Sequence, residues 1–188
     1  MGSATDFTGG LPETFCGRGS TLRRTKKIRK QLPGIFHRFG IRTLLDVPCG
    51  DCNWISRMDL PVKYYGIDLS ERNVNAALER EWKNPSWKRR IIQGNCLTAH
   101  WPKVDAILSR DFFQHLSIDD IHAMLVRIKT SGAKYLFGTC YTKDINREID
   151  EKMYRPVNIE IEPFNFGKPM MKIEEQSEHL YLGVYKLK

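Results

Sequence analysis

Thr43–Trp54, TLLDVPCGDCNW, followed by Val62–Ser70, VKYYGIDLS, decides the fold. Thr43 to Val47 (TLLDV) is a short, largely apolar run, as expected of a strand buried on both faces. Asp46 closes it, Gly50 lies in the turn that follows, and a helix is expected over Asn53 to Met58. Val62 to Ile67 reads as the next strand, placing Asp68 at its carboxyl tip, 22 residues beyond Asp46. A glycine in the first turn lets backbone approach a ligand without a Cβ. An acidic side chain at the second tip can accept hydrogen bonds from both ribose hydroxyls. Together the two stretches read as a nucleoside site.

Working outward, the alternation continues. Ser70 to Trp82 reads as a helix, Arg89 to Gln93 and Val104 to Ser109 as strands, and Lys134 to Gly138 as a fifth strand. Ser117 to Lys129 is the clearest helix: Ser117 is its cap, and Ile118, Ile121, Met124, Leu125 and Ile128 keep helical spacing. Met170 to Ile173 and Leu180 to Leu187 read as two strands joined by a polar turn. Strand and helix in alternation imply a mostly parallel sheet with helices on both faces, and the closing pair implies an antiparallel edge. Ligands of such sheets bind beyond the carboxyl ends of the strands. Upstream, residues 1–20 read as an irregular arm, and Ser20 or Thr21 can cap a helix over Leu22 to Leu32. Pro33-Gly34 is expected to interrupt it, with a short turn from Ile35 to Phe39.

The 188 residues fit one domain, expected as an arm and basic helix (1–40), a cofactor-binding core (41–139) and an acceptor-side loop with the closing strands (140–188). No apolar run is long enough to cross a membrane, and MGSATDFTGG lacks the apolar core of a signal peptide. Asp6 stands where a myristoylation pattern needs Ser or Thr. Five cysteines without a secretion signal read as reduced thiols in a cytoplasmic protein. Cys49-x-x-Cys52 has no second pair at zinc-site spacing, so no metal is expected. A net charge of +8 favours anionic partners: nucleotides, nucleic acid or other phosphorylated molecules. Arg23, Lys26, Lys27 and Lys30 share one helical face, either solvated or phosphate-binding.

From Thr43 to Gly138 the chain resembles the class I S-adenosylmethionine-dependent methyltransferases. Their first loop usually reads D-x-G-x-G-x-G; here it is D-V-P-C-G-D-C, retaining the middle glycine. Pro48 and Cys52 replace glycines that a pyrophosphate-binding turn would need, and Asp46 and Asp51 suit a cation. The resemblance implies a Rossmann-like, doubly wound α/β fold with a mostly parallel seven-stranded sheet and an antiparallel C-terminal strand pair. It implies S-adenosyl-L-methionine as cofactor. Asp46, Pro48, Cys49, Gly50 and Asp51 would line its methionine end, Asp68 its ribose, and Leu69, Asn95 and Cys96 its adenine. Arg110 would adjoin it after the fourth strand.

Asp111 and His115, four apart near a helix start, are the candidate catalytic pair; an imidazole suits a general base near neutral pH. Phe112 is a candidate wall of the acceptor pocket. Tyr154, Arg155, Asn165 and Phe166 are candidate acceptor contacts on an apolar loop expected to act as a lid. The acceptor itself stays open among a nucleotide, nucleic acid and a small metabolite, as does the oligomeric state. Two other readings remain: another reaction of the same cofactor, and a non-catalytic nucleic-acid-binding module on a degenerate fold.

Overall fold

The structure is a computed structural model that describes residues 13–60, 62–85, 88–150, 154–175 and 179–187. The expectations about a signal peptide and myristoylation fall on residues 1–12, outside the described residues. Seven strands form one sheet: β1 (Thr43–Asp46), β2 (Lys63–Asp68), β3 (Arg89–Gln93), β4 (Ala106–Ser109), β5 (Tyr135–Tyr141), β6 (Met171–Glu174) and β7 (Leu180–Lys186). Their order is β3-β2-β1-β4-β5-β7-β6. The first five are parallel, and β7 enters antiparallel between β5 and β6. This is the α/β architecture expected, with the order reversing between β1 and β4, the point at which sheets of this kind bind ligands.

Among the described residues, three α-helices flank the sheet: α1 (Lys26–Arg38), α2 (Glu71–Glu79) and α3 (Ile118–Thr130). Ile28, Leu32 and Phe36 of α1 and Val74 and Ala77 of α2 join one core with Leu44, Tyr64 and Phe137. Ile121, Met124, Leu125 and Ile128 of α3 join the other with Leu45, Ile107 and Leu136. Val157, Ile159 and Phe164 belong to this second core, which explains why the late loop is so apolar. It covers the sheet as a helix would.

Three local expectations need correction. Helix α1 runs unbroken through Pro33, because Ile35 and Phe36 bury on the same side as Ile28 and Leu32. It starts at Lys26 with Thr25 as N-cap and ends at Gly40 (φ 62°), where Ile41 N–H reaches the Phe36 carbonyl and Gly40 N–H the His37 carbonyl. The helix expected over Asn53 to Met58 is one 3-10 turn, Ile55–Arg57, with Ser56 Oγ bonded back to the Asn53 carbonyl. Helix α2 stops at Glu79, and Arg80 turns into extended backbone to serve the first loop.

Candidate functional site

The loop after β1 is built around buried carboxylates. Asp46 is 3% exposed and accepts a 2.7 Å hydrogen bond from Tyr64 Oη. Burial raises its pKa to about 8; the Tyr64 bond opposes this, nearby Asp68 adds to it, and Arg110 lowers it again. Gly50, at φ 56°, donates its N–H to Asp68 Oδ2 at 2.8 Å. Asp68 Oδ1 accepts from Ser70 N–H and Asn73 Nδ2. Ser70 Oγ in turn caps α2 through Asn73 N–H, so the helix start holds the carboxylate at the strand tip. A carboxylate offers about four acceptor positions, so Asp68 keeps roughly one for a ligand. Leu69 beside it is 67% exposed.

Below the loop, Cys49 is buried and donates its N–H to the Ile67 carbonyl, and Pro48 is half-buried. Cys96 is buried, its thiol pushed up to about 12 by desolvation. Asn95 is exposed, but its Oδ1 already accepts Leu97 N–H at 2.8 Å.

Asp51 departs from expectation. Its carboxylate is 3.0 Å from Arg80 Nη2 and accepts from Thr14 Oγ1, Phe15 N–H and Asn53 N–H. Its charge is balanced by Arg80 and its oxygens already accept hydrogen bonds. It ties the N-terminal arm to the loop. The arm lies close enough that a Cβ on Gly50 would meet Cys16 Sγ at 2.6 Å, and one on Gly19 would meet Asp111 Oδ2.

A pocket of about 430 Å³ lies between this arm and the ends of β4 and β5. Asp111 and His115 both line it, as do Arg110, Gln114, Tyr141 and Tyr154. Asp111 holds a positive φ of 52°, with its N–H on Thr139 Oγ1. Its Oδ2 is 3.0 Å from Arg110 Nη1, and its Oδ1 accepts from Gln114 Nε2. Arg110 is also bound bidentately by Glu175 and lies over the Trp54 ring. His115 is exposed, with its ring 5.8 Å from that of Tyr154. Tyr154 shares a 2.9 Å hydrogen bond with Tyr141.

The remaining acceptor candidates lie elsewhere. Arg155 points away from this pocket, donating to the Arg147 and Phe113 carbonyls. Phe166 packs edge-on against Tyr185 beneath Lys129, near the end of α3, because the apolar segment must cover the sheet. Asn165 is exposed at φ 44°, bonded to Glu162. Phe112 packs against the α3-side core rather than walling the pocket. The sequence reading missed Tyr141, Glu175 and Arg80. Tyr141 ends a parallel strand and was findable by the strand-tip rule; Glu175 and Arg80 carry no local signal.

Residues 44–131 match a methyltransferase domain. A small RNA 2'-O-methyltransferase of Schizosaccharomyces pombe is 27% identical over 118 residues, spanning 54% of this chain and 30% of that protein. The chain therefore corresponds to under a third of that relative's length. Among solved structures, the methyltransferase domain of bacterial-CtHen1-CN superposes with a TM-score of 0.66 at 13% identity, covering 87% of this chain and 99% of that one. Magnesium protoporphyrin IX methyltransferase from Synechocystis PCC 6803, with bound SAH, gives 0.65 at 11% identity, covering 94% and 90%. The likeness to these solved structures shows a Rossmann-like fold, and the methyltransferase-domain match covers just under half of the chain.

Proposed function

We propose that the chain binds S-adenosylmethionine between the tips of β1 and β2 and transfers its methyl group to an acceptor in the pocket beside Asp111 and His115. The observation that carries this reading is the buried pair of carboxylates, Asp46 and Asp68, around Gly50. Burial and the nearby Asp68 disfavour the Asp46 charge and raise its pKa to about 8. A cationic ligand relieves both penalties, and a phosphate group would increase them. The exposed Leu69 beside Asp68 offers a flat apolar contact for a base.

When bound, the sulfonium supplies an activated methyl group for direct displacement. Asp68 would hold the ribose and Asp46 would balance positive charge. The protein's work is then positional. Asp111 is held by Arg110 and Gln114, so it orients an acceptor hydroxyl or amine. His115, exposed in the same pocket, is the base for an acceptor that must lose a proton. Among acceptor classes, the basic charge and the activity named for the S. pombe relative favour RNA or another phosphorylated molecule. A cytoplasmic setting remains part of this reading.

Calorimetric titration with S-adenosylhomocysteine tests it. The wild-type chain is expected to bind, and Asp68→Ala to lose about 1–3 kcal/mol of affinity. No binding by the wild-type chain overturns the reading and favours a degenerate nucleic-acid-binding module. Unchanged affinity in the variant overturns the ribose assignment.

A further inference from the structure

A second cavity, of about 420 Å³, opens just past β5, lined by Lys143, Asp144, Ile145, Arg147, Arg155 and Pro156. Arg155 is only 9% exposed. Its Nε donates to the Arg147 carbonyl at 2.8 Å and its Nη1 to the Phe113 carbonyl at 3.3 Å, while Nη2 is buried without a hydrogen-bond partner. Among the described residues, Lys143, Arg147 and Arg155 form no ion pair. Glu148 is near enough to favour the Arg155 cation, but its oxygens bond the N–H groups of Ile118 and Ile149 and not Arg155 Nη2. A buried guanidinium nitrogen without a hydrogen-bond partner is costly, and an anion in the cavity would satisfy it.

Three cations against the carboxylates of Asp144 and the nearby Glu148 leave a surplus of one positive charge, which favours an anion such as a phosphate monoester. Ile145, 69% exposed, and Pro156 add apolar surface suited to a sugar or base. The cavity also adjoins the first pocket. Arg155 N–H donates to the Gln114 carbonyl at 3.1 Å, and Gln114 and Tyr154 line the pocket of Asp111 and His115.

We propose that this cavity holds a phosphate monoester of the acceptor, whose reacting group reaches across the Gln114–Tyr154 wall to His115. The phosphate site stands on its own geometry; its service to an acceptor rests on the methyl-transfer reading.

The test is calorimetry on the whole chain with the nucleoside site saturated by S-adenosylhomocysteine. The titrants are uridine 5′- and 3′-monophosphate, uridine and inorganic phosphate. At least one nucleotide is expected to bind about ten-fold or more tighter than uridine and than inorganic phosphate. Lys143→Glu with Arg147→Glu, both on exposed side chains, should erase that preference while leaving S-adenosylhomocysteine affinity unchanged. Equal binding of nucleotides and uridine, or a preference that survives the double variant, overturns the phosphate site. Nucleotides no tighter than inorganic phosphate overturn the acceptor assignment and leave a free-anion site. Failure of S-adenosylhomocysteine to bind sinks the methyl-transfer reading, while phosphate titration still reports on the cavity.

Discussion

Asp46 shows how one residue can report on a ligand. Its pKa is about 8 in the folded chain against 3.8 as its ordinary value. The folded state therefore binds more protons than the unfolded chain between those limits. Asp46's contribution to stability is most favourable below about pH 4 and declines as pH rises to about 8. A cationic ligand reverses the preference and favours the carboxylate. Binding of S-adenosylmethionine at pH 7 is thus expected to release close to one proton, and at pH 9 almost none. Calorimetry in two buffers of different protonation heat reads this directly, and Asp46→Asn should abolish the release. His115 offers a second check. His115→Ala is expected to lower kcat by about 10²–10⁴, with S-adenosylhomocysteine affinity preserved. An unchanged kcat excludes it as base. The sequence placed Asp46, Gly50 and Asp68 together because strand tips converge by topology. It did not foresee the partners of Asp51, which are Arg80, 29 residues away, and the arm at Thr14. No spacing rule encodes such a contact.

Elements were legible where a single period decided them. The strands after residue 40 lie within a few residues of their expected bounds, and α3 carries its Ser117 cap. Helix α1 was not, because Pro33-Gly34 is a local stop signal that burial overrides. Ile35 and Phe36 continue the stripe of Ile28 and Leu32, and the helix reaches Gly40 before it ends. Pro33 nonetheless has no N–H for the Arg29 carbonyl. A proline in a helix interior costs roughly 3 kcal/mol, while its stiffening of the unfolded chain returns about 0.4–1. Pro33→Ala should therefore stabilise the protein by about 2 kcal/mol in urea denaturation at unchanged m-value. A loss of stability would mean that the proline ring itself packs productively.

Across the whole molecule, the pocket of Asp111 and His115 is joined to the antiparallel edge through Arg110 and Glu175. Arg110 follows β4 and Glu175 follows β6, two parts of the sheet separated by β5 and β7. Both side chains are buried, and burial outweighs Arg110 in raising the Glu175 pKa. Such a pair is poor evidence of net stabilisation, but removing one partner strands the other. Glu175→Ala should cost about 3–5 kcal/mol in denaturant titration, even with Asp111 still beside Arg110. Replacing both, Arg110→Met with Glu175→Leu, should recover most of that loss, because an apolar pair of similar volume avoids desolvation altogether. Activity separates the two explanations for why the pair exists. If it only joined the sheet edge to the core, the apolar pair would transfer methyl groups normally. Asp111 would lose its ionic partner in that variant, and with it the orientation of the acceptor pocket. Restored stability with a kcat reduced by about ten-fold or more is therefore the expected result. Restored stability with full activity would assign the pair to folding alone.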